Sequence, residues 1–400
     1  LARRARVHSR DVQLQIATPK AKFAAARVQR LDFPWSASIQ NIDELGRKLR
    51  VGTTTDIPEV TVTFEAFDVS HNIYSYLTGY TPGTFPASGV SVTEFKNVDL
   101  IGQIRDTSST NIVNAIYVKR GIVTGMDASF GVRDNSTVSY TVGANSKKEF
   151  KQPVFYDSFT ASGNQTTFTL SKTPTYLTRT SGYIINAYQT TALTNGGSYL
   201  NNGTDFTVTG STITLSPAAA ANDIYWFTYC SANTTTTFDA LDTTAPAAIQ
   251  GKYVPLVISV NSIPRVQSAS IRASMQSETI LEMGGLGQPV GYEIGIPDVT
   301  GDISVLKTDN ELISILEGTG TGANAPIEQD LEFALSTLPL KVQLKDPANP
   351  TRVVLTYYVP SITISSNGDE SSVNQSMNET FAWSSTTGEL FIASGTGPWA

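Results

Sequence analysis

The chain has 400 residues, of which 40% are hydrophobic and only 16% charged, and it carries a net charge of −7. The charged share lies below the quarter or so that is usual for globular proteins; Thr, Ser, Asn and Gly fill the gap and favour β-strands joined by short polar turns. A single cysteine, Cys230, and two histidines in unrelated contexts, His8 and His71, argue against an intrachain disulfide, a thiolate zinc site and a histidine metal site, so no metal and no cofactor is expected.

Residues 1–30 hold eight Lys/Arg and one acid, Asp11, a charge of +7 that leaves −7 − 7 = −14 on the rest. We read this stretch as a basic arm, with Arg3, Arg4, Arg6 and Arg10 touching an acidic patch on a neighbouring subunit. Nucleic-acid binding fits less well, because no aromatic residues interleave the charges. No apolar run is long enough to span a bilayer as a helix and no secretory pattern opens the chain, so no membrane partner is expected.

Residues 31–154 form a first unit. A strand holds Ser36-Ala37-Ser38-Ile39, and Val60, Val62 and Phe64 mark a half-buried strand by their period of two. A short helix follows, capped by Asp68 or Ser70 and stopped by Gly79, with Ile73, Tyr76 and Leu77 facing inward. Further strands are expected near 99–105, 113–125 and 137–143. Residues 155–230 alternate strictly between turn signals such as Asn202-Gly203 and read as a small all-β insert. A linker, 231–252, leads to a second unit at 253–400. Its helix is expected over Asn310–Glu317, between Asp309 and Gly318, and its later strands near 340–345, 352–365 and 378–384.

The two units repeat each other. Ser36-Ala37-Ser38-Ile39 recurs as Ser268-Ala269-Ser270-Ile271, an offset of 268 − 36 = 232. Ile57-Pro58-Glu59-Val60-Thr61 recurs as Ile296-Pro297-Asp298-Val299-Thr300, an offset of 239, and Gln103-Ile104-Arg105-Asp106 as Gln343-Leu344-Lys345-Asp346, an offset of 240. Tyr117-Val118 then matches Tyr358-Val359 at 241. The jump from 232 to 239 places a loop about seven residues longer in the second copy, near Gln276–Gly295. That loop is rich in glycine yet carries Leu281, Met283 and Leu286, which suggests ordering against a partner.

Other chemistry is thinly represented. Gly284-Gly285-Leu286-Gly287 lacks the lysine of a phosphate-binding loop and reads as a flexible loop. Glu278, Glu282 and Glu293 cluster as a glycosidase pair would, but no further catalytic group converges on them, and no enzymatic activity is expected. Tyr183, Tyr188, Tyr199 and Trp226 would either stack on sugars, as in a receptor-binding or fibre protein, or pack the insert's core. A capsid or baseplate component is a further alternative.

Two sandwich-plus-helix units joined by a β insert resemble the major tail tube proteins of long-tailed (siphovirus-like) bacteriophages. The Ile-Pro-acid-Val-Thr strands, the capped helix and the closing strands Ile122–Tyr140 and Ile362–Trp383 carry the resemblance. It implies a mainly β chain of two tandem tail-tube-type β-sandwich domains, each with one short helix, and an inserted small Ig-like β domain. It also implies a virion protein whose partners are copies of itself, other tail proteins at the tube ends and DNA in transit without specific binding. Three chains, with pseudo-sixfold symmetry, would form each ring. Leu281, Met283 and Leu286 would then reach the next ring.

Overall fold

The period-two alternation becomes strand in the computed structural model of the protein, which describes residues 9–18, 22–37, 39–42, 51–55, 59–67, 72–80, 84–106, 111–179, 181–191, 198–232, 237–241, 248–281, 289–307, 337–370 and 377–399. The architecture is mainly β. A 3-10 turn at Ser9–Asp11 opens the first copy and leads into β1 (Val12–Ala17), β2 (Lys22–Ala24), β3 (Val28–Asp32) and β4 (Trp35–Ser36). A separate hairpin of β5 (Ile39–Ile42) and β6 (Gly52–Thr55) comes next, then β7 (Glu59–Phe67), helix α1 (Asn72–Thr78) and β8 (Val90–Ser91). β9 (Val98–Arg105), β10 (Ile112–Gly131), β11 (Thr137–Ala144) and β12 (Lys147–Phe150) complete the copy.

β10 has 20 residues and serves two sheets. Its first half pairs β9 and β12 in an outer sheet that continues through β1 to β2. Its second half pairs β11 in an inner sheet that continues through β7 to β3 and β4. Val60, Val62, Phe64, Leu100, Val118 and Tyr140 are buried between the sheets. α1 adds Tyr74, Tyr76 and Leu77 to this core and stops at Gly79, whose φ of +79° is the left-handed conformation that ends a helix with least strain in glycine.

The expectation of an arm over 1–30 is corrected here. Residues 12–32 build both sheets, and β1 is buried on both faces. Gln13 and Gln15 sit inside because Asp239 satisfies their amides at 2.9 and 3.0 Å. These buried amides, and the basic composition around them, hid a strand. Arg10 is exposed, whereas Arg3, Arg4 and Arg6 lie outside the described residues.

The insert has β13 (Val154–Thr169), β14 (Ile184–Thr190), β15 (Ser198–Tyr199), β16 (Phe206–Thr209) and β17 (Thr212–Cys230). They form one five-stranded sheet in the order β13-β17-β14-β15, with β16 also on β17. Phe168, Phe206, Ile213, Phe227 and Tyr229 fill its own core.

The second copy opens on a 3-10 turn at Gly251–Tyr253, followed by β18 (Leu256–Ile258), β19 (Asn261–Ser262) and β20 (Val266–Ser274). A hairpin of β21 (Ser277–Leu281) and β22 (Pro289–Ile294) precedes β23 (Asp298–Leu306). β24 (Leu338–Asp346), β25 (Asn349–Glu370), β26 (Asn378–Ser385) and β27 (Phe391–Ser394) end the chain's strands. The helix expected at Asn310–Glu317, with Asp309 and Gly318, lies outside the described residues.

The ladders repeat down to single hydrogen bonds. Trp35 pairs Val60 as Ala273 pairs Val299, and Met126 pairs Tyr140 as Asn367 pairs Phe381. Bulges recur at Val28/Arg30 and Val266/Ser268, and at Val123/Gly125 and Ile364/Ser366. Arg27 and Arg265, 265 − 27 = 238 positions apart, both have φ of 58°. Their carbonyls accept from the Phe67 and Leu306 amides at 3.3 and 3.1 Å, and from the side chains of Gln29 and Gln267 at 3.0 and 3.1 Å.

This register overturns two expectations. Ser36 corresponds to Ser274, not Ser268, so the Ser-Ala-Ser-Ile match is a coincidence of composition. The segments that follow are nearly equal: 59 − 36 − 1 = 22 residues against 298 − 274 − 1 = 23. The second copy therefore has no loop seven residues longer. The strands that flank its glycine-rich stretch, β21 and β22, pair with each other as β5 and β6 do, and Gly284, Gly285 and Gly287 lie outside the described residues.

Candidate functional site

The two copies share one inner sheet. The second half of β10 pairs β20 from Gly125 opposite Ser274 to Gly131 opposite Ser268. The order across the chain is therefore β3/β4, β7, β11, β10, β20, β23, β26, β25. Two further contacts lock the copies together. β8 pairs β27, and the Tyr74 hydroxyl of α1 hydrogen-bonds that of Tyr357 on β25.

Among the described residues this sheet ends in two unpaired edges, β3/β4 on one side and Thr363–Glu370 of β25 on the other. Burial distinguishes the first edge from its counterpart within the chain. On β20 the core-facing Ala269, Ile271 and Ala273 are buried because β10 covers them. Their counterparts Leu31 and Phe33 are only half-buried, and Trp35 is 63% exposed. A proline on an edge strand usually blunts it. Here the Pro34 carbonyl accepts from Thr61 on β7 at 3.4 Å. A residue's N–H and C=O point to the same side of a strand. Pro34 therefore lacks its donor on the inner ladder, and Phe33 and Trp35 present their backbone groups outward.

The face of the inner sheet turned away from the core is polar. Thr61, Thr63, Thr137, Ser139, Thr141, Ser270, Thr300 and Ser304 alternate there with buried neighbours. Its acids include Glu59, Glu65, Asp127, Asp298 and Asp302, against Arg30 and Arg272. Arg272 pairs Asp127 at 3.3 Å, and Asp302 accepts from Ser270 at 3.3 Å. Burial raises the pKa of Asp127, Arg272 opposes the rise, and Asp302 adds to it. Such a surface offers hydroxyls and fixed negative charge but few cations to hold a phosphate.

The insert sits on the opposite side of the molecule. Ile101, Ala115 and Tyr117, on the outward face of the outer sheet, pack against Val154, Tyr156, Tyr188, Trp226 and Cys230. Buried Asp99 anchors this seam by accepting from the Tyr117 hydroxyl at 2.7 Å and the Arg120 amide at 2.8 Å. Arg120, in a left-handed turn with φ of 46°, lays its guanidinium 4.4 Å from the Tyr188 ring centre and 5.2 Å from that of Tyr199. Lys119 stands 3.7 Å from the Tyr199 ring centre. Tyr188, Tyr199 and Trp226 are therefore structural contacts of this seam, while Tyr183 lies partly exposed at 5.2 Å from Tyr176.

The seam is pH-sensitive. Burial depresses the Lys119 pKa to about 8, with Asp99 opposing and Lys148 and Arg120 adding to the shift. Burial lowers Lys148 as well. Between about pH 8 and the ordinary lysine value near 10.5, the Lys119 side chain holds more protons in the unfolded chain than in the folded one. Its contribution to stability therefore rises with pH in that window, and the buried Cys230 thiol, pushed up from 9.0 to about 12, opposes it once the unfolded thiol ionises. Burial also holds Tyr117 and Tyr156 well above 10.0, so stability turns down again once unfolded tyrosines ionise. Denaturant midpoints are expected to climb from about pH 7.5 to about pH 9, and Lys119→Met should flatten that climb. A midpoint that falls over this range in the native chain would contradict the assignment.

The remaining candidates separate. Glu278 and Glu293 lie directly opposite each other on the β21–β22 hairpin, both exposed, and Glu282 lies outside the described residues. Leu281 ends β21, whereas Met283 and Leu286 lie outside the described residues. No protein-family description and no curated protein matches the chain. Sequence reasoning missed the Arg27-Val28-Gln29 and Arg265-Val266-Gln267 repeat, the signal that marks β3 and β20 as equivalent strands.

Proposed function

We propose that the chain is a non-enzymatic structural subunit of a hollow assembly, a tail tube protein of a long-tailed phage. Three chains join edge to edge into a ring of six similar domains, and rings stack into a tube that conducts DNA. The observation that carries this reading is the β10–β20 junction. It joins one copy to the next by main-chain pairing and leaves the same two kinds of edge open at the ends of the chain. Repeating that junction between chains satisfies both edges and, by rotation, closes a ring. The hydroxyl-lined, acidic sheet face then surrounds the channel, where few cations retard a polyphosphate. The insert, held on the outward face of the outer sheet, lies on the exterior.

The register fixes the test. Ser274 faces Gly125 within the chain, and their counterparts are Ser36 and Ser366. Residues directly opposed on antiparallel strands lie about 4.5–5.5 Å apart at Cα, within disulfide reach. Ser36→Cys with Ser366→Cys, oxidised after assembly, is expected to give a covalent trimer as the limiting product, since native Cys230 is buried. Assembled material that yields no link, or only an intrachain one, would overturn the proposal.

A further inference from the structure

We propose that Trp35 is the side chain by which one copy of this chain selects the edge of another, and that position 367 is its counterpart. This rests on the ring reading above and adds which residues set the order of domains around it.

Within the chain, the junction places Met126 opposite Ala273, Ala128 opposite Ile271 and Phe130 opposite Ala269, all buried. On the open edges the same register places Asn367 opposite Trp35. The bulky member of the Met126–Ala273 pair has its counterpart on the other side, moved from the β10-type edge to the β3/β4-type edge. Bulk is also redistributed within a pair one strand away. Val62 faces Val142 in the first copy, and Gly301 faces Trp383 in the second.

The exchange discriminates between edges. If β3/β4 of a second copy displaced β20 from β10, Trp35 would meet Met126, two large side chains where one large and one small now fit. Against β25 it meets position 367, where the smaller asparagine stands in place of methionine. Discrimination of this kind needs both a fitting pair and a clashing one. The occupant of the β3/β4 edge is thus the β25 edge of a second copy, and domains alternate around the ring. Exposure agrees. Trp226 and Trp383 are buried and Trp399 stacks on Tyr358 at 4.5 Å, whereas Trp35 is exposed on an edge that no strand among the described residues covers.

The test uses the full chain. Assembly of the native protein should shift tryptophan emission to the blue and shield it from a soluble quencher, as Trp35 becomes covered. Trp35→Ala should leave the melting of unassembled chain unchanged, abolish that shift, and raise the concentration needed for assembly at least tenfold. Adding Asn367→Met to Trp35→Ala recreates the Met126–Ala273 pair on the open edges and should recover assembly. If Trp35→Ala lowers the melting temperature of the monomer, Trp35→Gln takes its place. Assembly of Trp35→Ala at the native concentration, or a double variant no better than the single one, would overturn this proposal while leaving the ring reading intact. A native chain that never assembles would instead remove the reading on which it rests.

Discussion

Gly301→Val is expected to destabilise the second copy strongly. A Cβ at this position would lie 2.1 Å from the Ser270 carbonyl oxygen and 2.5 Å from the Trp383 ring. One obstacle is backbone, so the strands must separate, and the cost should reach about 3 kcal/mol, the upper part of the range for overpacked cores. Trp383→Val alone removes a fully buried indole and should cost about 3–5 kcal/mol through the cavity it leaves. Together the two changes install the Val–Val pair that the first copy uses at this place. The ring clash then vanishes and the cavity shrinks, so the double variant should be more stable than the sum of the singles predicts, by over about 1 kcal/mol. Urea midpoints of the three variants check this. Strict additivity would show that the two positions do not share one space.

The second large effect concerns the seam beneath the insert. Asp99→Ala removes the acceptor of the Tyr117 hydroxyl and the Arg120 amide. Losing these two buried hydrogen bonds should cost about 1–3 kcal/mol each. Because Arg120 lies over Tyr188 and Tyr199, the insert should loosen while the two-copy core stays folded. The expected signs are a red shift of Trp226 fluorescence and faster proteolysis within 231–250, both at temperatures where the rest of the chain is intact. Asp99→Asn keeps an acceptor and should show a smaller version of both. Simultaneous loss of the insert and the core in a single transition would mean that the seam is not a separable unit. Deleting the insert outright should also be costly, since Ile101 and Tyr117 would become exposed.

The strands were legible wherever one face is buried and the other wet, as in Glu59–Phe67 with Val60, Val62 and Phe64 pointing inward. The stop of α1 at Gly79 was legible for the same reason that the residue adopts a positive φ there. β1 was not, because it is covered on both sides and uses Gln13 and Gln15 inside, which breaks the alternation a half-buried strand shows. The repeat could be found from sequence, but its first anchor could not. Ser and Ala are interchangeable on these strands, so Ser-Ala-Ser-Ile recurs without marking equivalent places. The β-bulges and the paired Arg27 and Arg265 conformations fix the register instead. The open edges were out of reach altogether. Whether Leu31, Phe33 and Trp35 are covered depends on which strand lies beside them, and nothing local to those residues encodes it.

Electron microscopy of the purified full-length chain tests the central claim most directly. The account predicts hollow rings or tubes with threefold symmetry and a sixfold-like outline. Their channel should be lined by the sheet face that carries Thr61, Asp127 and Thr300, with the insert projecting outside. Particles without an axial channel, or rings in which the insert lines the channel, would contradict it.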